Sequence, residues 1–169
     1  MRIAGLLLIA SGATWFVSAW LRLLRKRIRT LGALGIFLEL MQAELQTSAL
    51  PLEQMLERLL PRLSEPARSF AASVRAGMAE LGRRSFSEIW NAALLRCLPE
   101  LDDTEGSALR GLGNVLGRYE LSRQLEAIAG CKAFLRRREA DAASALPEKT
   151  RLALGLGLTF AALLGIVLV

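Results

Sequence analysis

The chain contains no histidine and only two cysteines. Without histidine it lacks the commonest general base and the commonest metal ligand, so a hydrolytic triad of the usual type cannot be assembled. Cys97 and Cys131 lack zinc-site spacing; they fall on apolar helix faces and read as buried free thiols in a reducing compartment. No Gly-Lys-Ser/Thr string is present, which excludes a phosphate loop and ATP hydrolysis by this chain. Gly111, Gly113 and Gly117 lack both the spacing and the preceding strand of a dinucleotide loop. Runs of alternating β-branched residues and Asn-Gly or Asp-Gly turns are also missing, so no sheet is expected. Glu39, Glu44, Glu53 and Glu57 are the kind of residue that solvated helix faces carry routinely. The reading is a non-enzymatic, all-α protein with no cofactor and no metal.

What the chain has instead is apolar length at both ends. The run from Ile3 to Leu21 is uncharged and stops at Arg22, Arg25, Lys26, Arg27 and Arg29. At about 1.5 Å per residue it reaches ~28 Å, close to the roughly 30 Å hydrocarbon core of a bilayer. The five cations act as topology determinants, because a positive excess is retained on the cytoplasmic side. Val17-Ser18-Ala19 has the small-residue spacing of a signal-peptide cleavage site, but the apolar run exceeds a usual h-region and its basic residues follow it; the segment reads as a retained anchor. A second uncharged run covers Leu152 to Val169, with Lys149 and Arg151 before it. Within it Ala153, Gly157, Ala161 and Gly165 recur every fourth residue, a face on which the first span or a second copy of the chain can pack closely. The expected architecture is a transmembrane helix at 1–21, a cytoplasmic helical bundle at 22–151 and a transmembrane helix at 152–169.

The middle segment holds 21 of the 22 Lys and Arg and all 16 Asp and Glu. Much of its positive excess flanks the two membrane entries, which explains the charge by topology and anionic headgroups rather than by nucleic acid. Leu34, Leu38, Met41 and Leu45 continue the first helix to a break at Thr47–Leu50. Pro51 suits the first turn of a helix with Leu52, Met55, Leu56, Leu59, Leu60 and Leu63 on one face, limited or kinked by Pro61. Ser64 is the expected cap of a third helix, with Ala67, Phe70, Ala71, Val74, Met78 and Leu81 on one side and Gly82 closing it. Ser85 and Glu88 have capping-box spacing for a fourth helix reaching about Cys97. Asp102, Asp103 and Glu105 favour the start of a fifth, with Leu109, Leu112 and Leu116 on its face. Leu121, Leu125, Ile128, Cys131 and Leu135 define a long sixth, with Pro147 marking a bend before the second span.

Two strings within this layout resemble the stage III sporulation protein AB family. Ala43-Glu44-Leu45-Gln46-Thr47-Ser48-Ala49-Leu50-Pro51-Leu52 is similar to its glutamate, hydrophobic, turn and Pro-Leu pattern, and Leu116-Gly117-Arg118 followed by Gln124 is similar to its second recurrent string. The chain departs from the pattern at Thr47-Ser48, where the family often has Tyr-Gly, at Leu50, where a Thr cap is expected, and at Tyr119-Glu120, often Ser-Asp. The resemblance implies a helical domain similar to those of type II secretion F-family platform proteins, in the mother-cell membrane around the forespore. It further implies a separate secretion-type ATPase and other sporulation-channel membrane subunits as partners. Glu44 and Gln124, which match the strings, are the partner-interaction candidates; helix capping or an intradomain hydrogen bond is the ordinary alternative for each. Rival functional classes are a general membrane-anchored scaffold or regulator and, more weakly, a tethered nucleic-acid binder with steeply salt-dependent affinity.

Overall fold

The computed structural model describes the backbone of residues 2–48 and 50–168 and the side chains of residues 22–48 and 50–145. Six α-helices follow one another: α1 Arg2–Thr47, α2 Leu52–Leu59, α3 Ala67–Gly77, α4 Phe86–Cys97, α5 Asp103–Val115 and α6 Leu121–Leu168. Short 3-10 turns extend α2 over Leu60–Arg62 and α3 over Met78–Glu80. No strand forms among the described residues, and the all-α expectation holds.

No helix among the described residues is long and apolar enough to cross a membrane. The stretches expected to do so, 1–21 and 152–169, lie outside the residues whose side chains are described, as do Ala153, Gly157, Ala161 and Gly165. The backbone of α6 continues through Pro147. Contacts divide the chain into two compact units, Arg29–Glu139 and Met1–Ile28 with Ala140–Val169. In the second unit Arg22, Arg25 and Lys26 are exposed and Arg27 is half-buried; Arg29, the fifth cation, opens the first unit and is exposed.

The helix ends of the bundle, Arg29–Glu139, follow from local chemistry. α1 stops where Thr47 donates its hydroxyl to the Ala43 carbonyl at 2.8 Å and Ser48 donates to the Glu44 carbonyl at 3.0 Å. These side chains compete with a further helical turn. Pro51 sits at the N-cap of α2, one place earlier than expected, with extended backbone. Ser64 does not cap α3 through its side chain; Glu65 does the comparable work by accepting from Ser69 N–H and hydroxyl at 3.3 and 2.6 Å. Because α3 ends at Gly77, Leu81 lies beyond it and is exposed, while Gly82 takes a left-handed φ of 103°. α4 opens with both bonds of the expected Ser85–Glu88 capping box. The Ser85 N–H, which donates to the Glu88 carboxylate at 2.8 Å, and after it the nearby Ser85 hydroxyl hold the Glu88 carboxyl below its ordinary range.

The core is built around Trp90, fully buried on α4. Phe70 from α3 meets it edge-on at 4.8 Å between centroids, and Phe37 from α1 meets Phe70 edge-on at 5.9 Å. Each such pair contributes about 0.5–1.5 kcal/mol beyond the area it buries. The Trp90 indole donates to the Leu109 carbonyl of α5 at 2.8 Å, which satisfies its single buried donor. Helices α3 and α5 both thin to glycine where they cross α4. A methyl on Gly113 would lie 2.7 Å from Cγ of Trp90, and one on Gly77 would collide with Cγ2 of Ile89. Leu31, Leu34, Leu38 and Met41 of α1 and Ile128 and Leu135 of α6 close the remaining sides.

Candidate interaction surface

Polar bonds between α1 and α6 fix how their segments within the bundle run. Lys132 donates to Gln42 at 2.7 Å, and Arg136 pairs with Glu39 at 2.6 Å, while Glu139 lies beside Gly32. Rising numbers on one helix meet falling numbers on the other, so the two are antiparallel. The end of α1 and the start of α6 therefore share one end of the bundle, and both family-like strings fall there.

Glu44 and Gln124 each have a local bond at that end. Glu44 accepts from the Ser48 hydroxyl at 3.1 Å. Gln124 donates its amide to the Tyr119 carbonyl at 2.6 Å and so braces the turn between α5 and α6. That turn reverses at Gly117, whose φ of 71° belongs to the left-handed region glycine adopts without a Cβ penalty. Beyond it Tyr119 is 42% exposed, and the Arg123 guanidinium lies 4.8 Å from the centre of its ring. Leu121, expected on the packed face of α6, is 50% exposed. It is the first residue of the helix, and the fully buried positions begin only at Ile128. The sequence pattern missed this exposed pair; the neighbouring Gly117 and the family-like string were its available signals.

A second polar cluster occupies the corner between α4 and α5. Asp102 and Glu105 form a capping box: Asp102 accepts from Glu105 N–H at 2.8 Å and Glu105 accepts from Asp102 N–H at 3.0 Å. Glu105 is fully buried, and Arg138 of α6 reaches both carboxylates, at 3.4 Å to Glu105. Thr30, fully buried on α1, donates to Glu100 at 2.6 Å. Burial pushes the Asp102 carboxyl upward, but hydrogen bonds from Thr104, Glu105 N–H and Arg138, with the Arg138 charge, outweigh it and hold the group well below the carboxylate range. The Asp102-x-x-Glu105 spacing was legible in sequence; Arg138 and Thr30 carried no comparable signal.

Both cysteines are free, Cys131 buried and Cys97 half-buried. Burial pushes the Cys131 thiol up to about 11. Among the described residues no group of three or more Cys, Asp or Glu is placed to hold a metal ion.

A solved structure described as stage III sporulation protein AB is similar to the chain with a TM-score of 0.64 and 22% identity, covering 72% of this chain and 97% of that one. At that identity the likeness establishes the fold. No curated protein matches the chain. The sequence pattern of the stage III sporulation protein AB family matches residues 2–169. With that match over nearly its whole length, the chain belongs to the stage III sporulation protein AB family, and its role is related to sporulation.

Proposed function

We propose that the chain is a non-enzymatic membrane platform subunit of the sporulation channel, anchored by two spans with its helical bundle in the mother-cell cytoplasm. Its bundle docks a separate secretion-type ATPase and other channel subunits, and it has no nucleic-acid partner. Family membership across residues 2–169 is the observation that carries this reading. The two uncharged terminal runs and the basic residues from Arg22 to Arg29 support the anchoring. The end of the bundle bearing Glu44 and Gln124 supports the docking: beside the exposed Leu121 it exposes Tyr119 and two arginines, Arg118 and Arg123, residue types enriched among interface anchors.

Co-purification of the full-length protein in mild detergent with its candidate ATPase tests the proposal. Wild type is expected to retain the ATPase, and Tyr119→Ala, Leu121→Ser, Glu44→Ala and Gln124→Ala are expected to weaken retention. The two exposed residues matter most, because they are removable with little effect on packing. A wild-type protein that retains no ATPase while remaining folded overturns the docking claim.

A further inference from the structure

The α4–α5 corner does more than start a helix. Its three carboxylates, Glu100, Asp102 and Glu105, are met from two other elements: Thr30 of α1 bonds the first, and Arg138 of α6 bonds the other two. Thr30 and Arg138 lie next to Arg29 and Glu139, the two residues at which the bundle ends. The corner therefore holds both long helices at the level where each runs on out of the bundle. The contact is demanding, because Glu105 is fully buried and taking a cation away from a buried carboxylate is strongly unfavourable. A network of this kind is sensitive to register, since each donor has a fixed reach.

We propose that this corner is a charge clasp that fixes α1 against α6 at their exit from the bundle, so that the two helices move there as one. The step from clasp to mechanism rests on the platform reading above: with the clasp closed, a displacement imposed on the bundle reaches both exiting helices together, and with it open each helix responds separately. Docking and coupling then occupy different ends. Thr30 and Glu44 are fourteen residues apart on α1, about 21 Å at 1.5 Å per residue.

Hydrogen–deuterium exchange on the full-length protein in detergent tests the clasp. Arg138→Gln is expected to speed exchange about tenfold or more in the first turn of α5 and in α1 and α6 beside the clasp. Protection in α3 and α4 is expected to remain. Arg138→Lys is expected to fall between, because an ammonium cannot reproduce the fork that reaches both carboxylates. Adding Glu105→Gln to Arg138→Gln removes the buried charge and is expected to restore much of the protection. A purely space-filling Arg138 predicts no such recovery, and that result, or a uniform rise across all helices, overturns the clasp. ATPase co-purification read on the wild-type protein separates the two claims: a folded wild type that captures nothing defeats the platform reading, whereas the exchange pattern alone decides the clasp.

Discussion

The crossing of α4 with α3 and α5 and the edge between α1 and α6 are joined by different physics. At the first, buried apolar shapes interlock: Phe70 stands edge-on to Trp90, and Gly77 and Gly113 leave room for the side chains of α4. At the second, the helices are bridged by side-chain polar groups, Gln42 to Lys132 and Glu39 to Arg136. The core tolerates little change in volume, since close-packed interiors transmit even small misfits. The edge tolerates volume and responds to charge. Mutations, salt and pH should therefore sort the two regions.

The largest effect is expected at Trp90. Trp90→Ala should lower stability by ~3–5 kcal/mol, the range for removing a large buried aromatic, and it also leaves the Leu109 carbonyl without its indole donor. Gly113→Ala is the sharper test, because helix propensity alone favours alanine by about 1 kcal/mol. The clash with Trp90 should reverse that sign and destabilise by ~1–3 kcal/mol, as overpacking does. Circular-dichroism melts of the full-length protein would measure both; a stabilised Gly113→Ala protein would show that α4 and α5 do not approach as closely as described.

An intermediate effect is expected at Asp102, where capping and ion pairing are combined. Asp102→Ala should cost about 1 kcal/mol for the cap and loses the contact with Arg138 as well. Asp102→Asn separates the two, since asparagine caps as well as aspartate but carries no charge. Because the folded carboxyl titrates below the usual range while the unfolded one titrates near 3.9, the contribution is complete above about pH 5 and declines as the pH falls through the folded value. Wild type should thus show no change from this group between about pH 5 and 8 and a loss in acid, and Asp102→Asn should flatten that loss. Equal acid sensitivity in the two proteins would assign the acid limb to other carboxylates.

Apolar spacing and caps made most of the bundle legible. Phe70, Val74, Leu109 and Leu135 were on the expected faces and are buried, and the Ser85–Glu88 box forms with both bonds. Leu81 and Leu121 were misplaced because a periodic pattern does not show where a helix packs last or first; one lies past the end of α3 and the other opens α6. Gly113 was weighed in sequence against a dinucleotide loop, and its fit against Trp90 depends on a residue 23 positions away. At the candidate surface, the strings located Glu44 and Gln124, while the hydrogen bond from Gln124 to Tyr119 and the exposure of Leu121 emerge only from the turn geometry. Long-range polar partners such as Thr30 with Glu100 leave no periodic trace at all.

The smallest effect is expected at Glu39 and Arg136, which form a bond at 2.6 Å although their side chains are 54% and 57% exposed. Water screens such a pair and each long side chain loses rotamer freedom in making it, so a double-mutant cycle with Glu39→Ala and Arg136→Ala should give a coupling of about 0.2–1 kcal/mol. At 1 M salt the screening length falls to about 3 Å and the coupling should approach zero. Lys132 and Gln42 provide the control on the same edge: their bond is partly buried and joins a cation to a neutral amide, so the Lys132→Ala effect should change less with salt. If the exposed pair instead retained 2 kcal/mol or more in high salt, the α1–α6 edge would be held as specifically as the aromatic core, and the division between a shape-held and a charge-held region would fail.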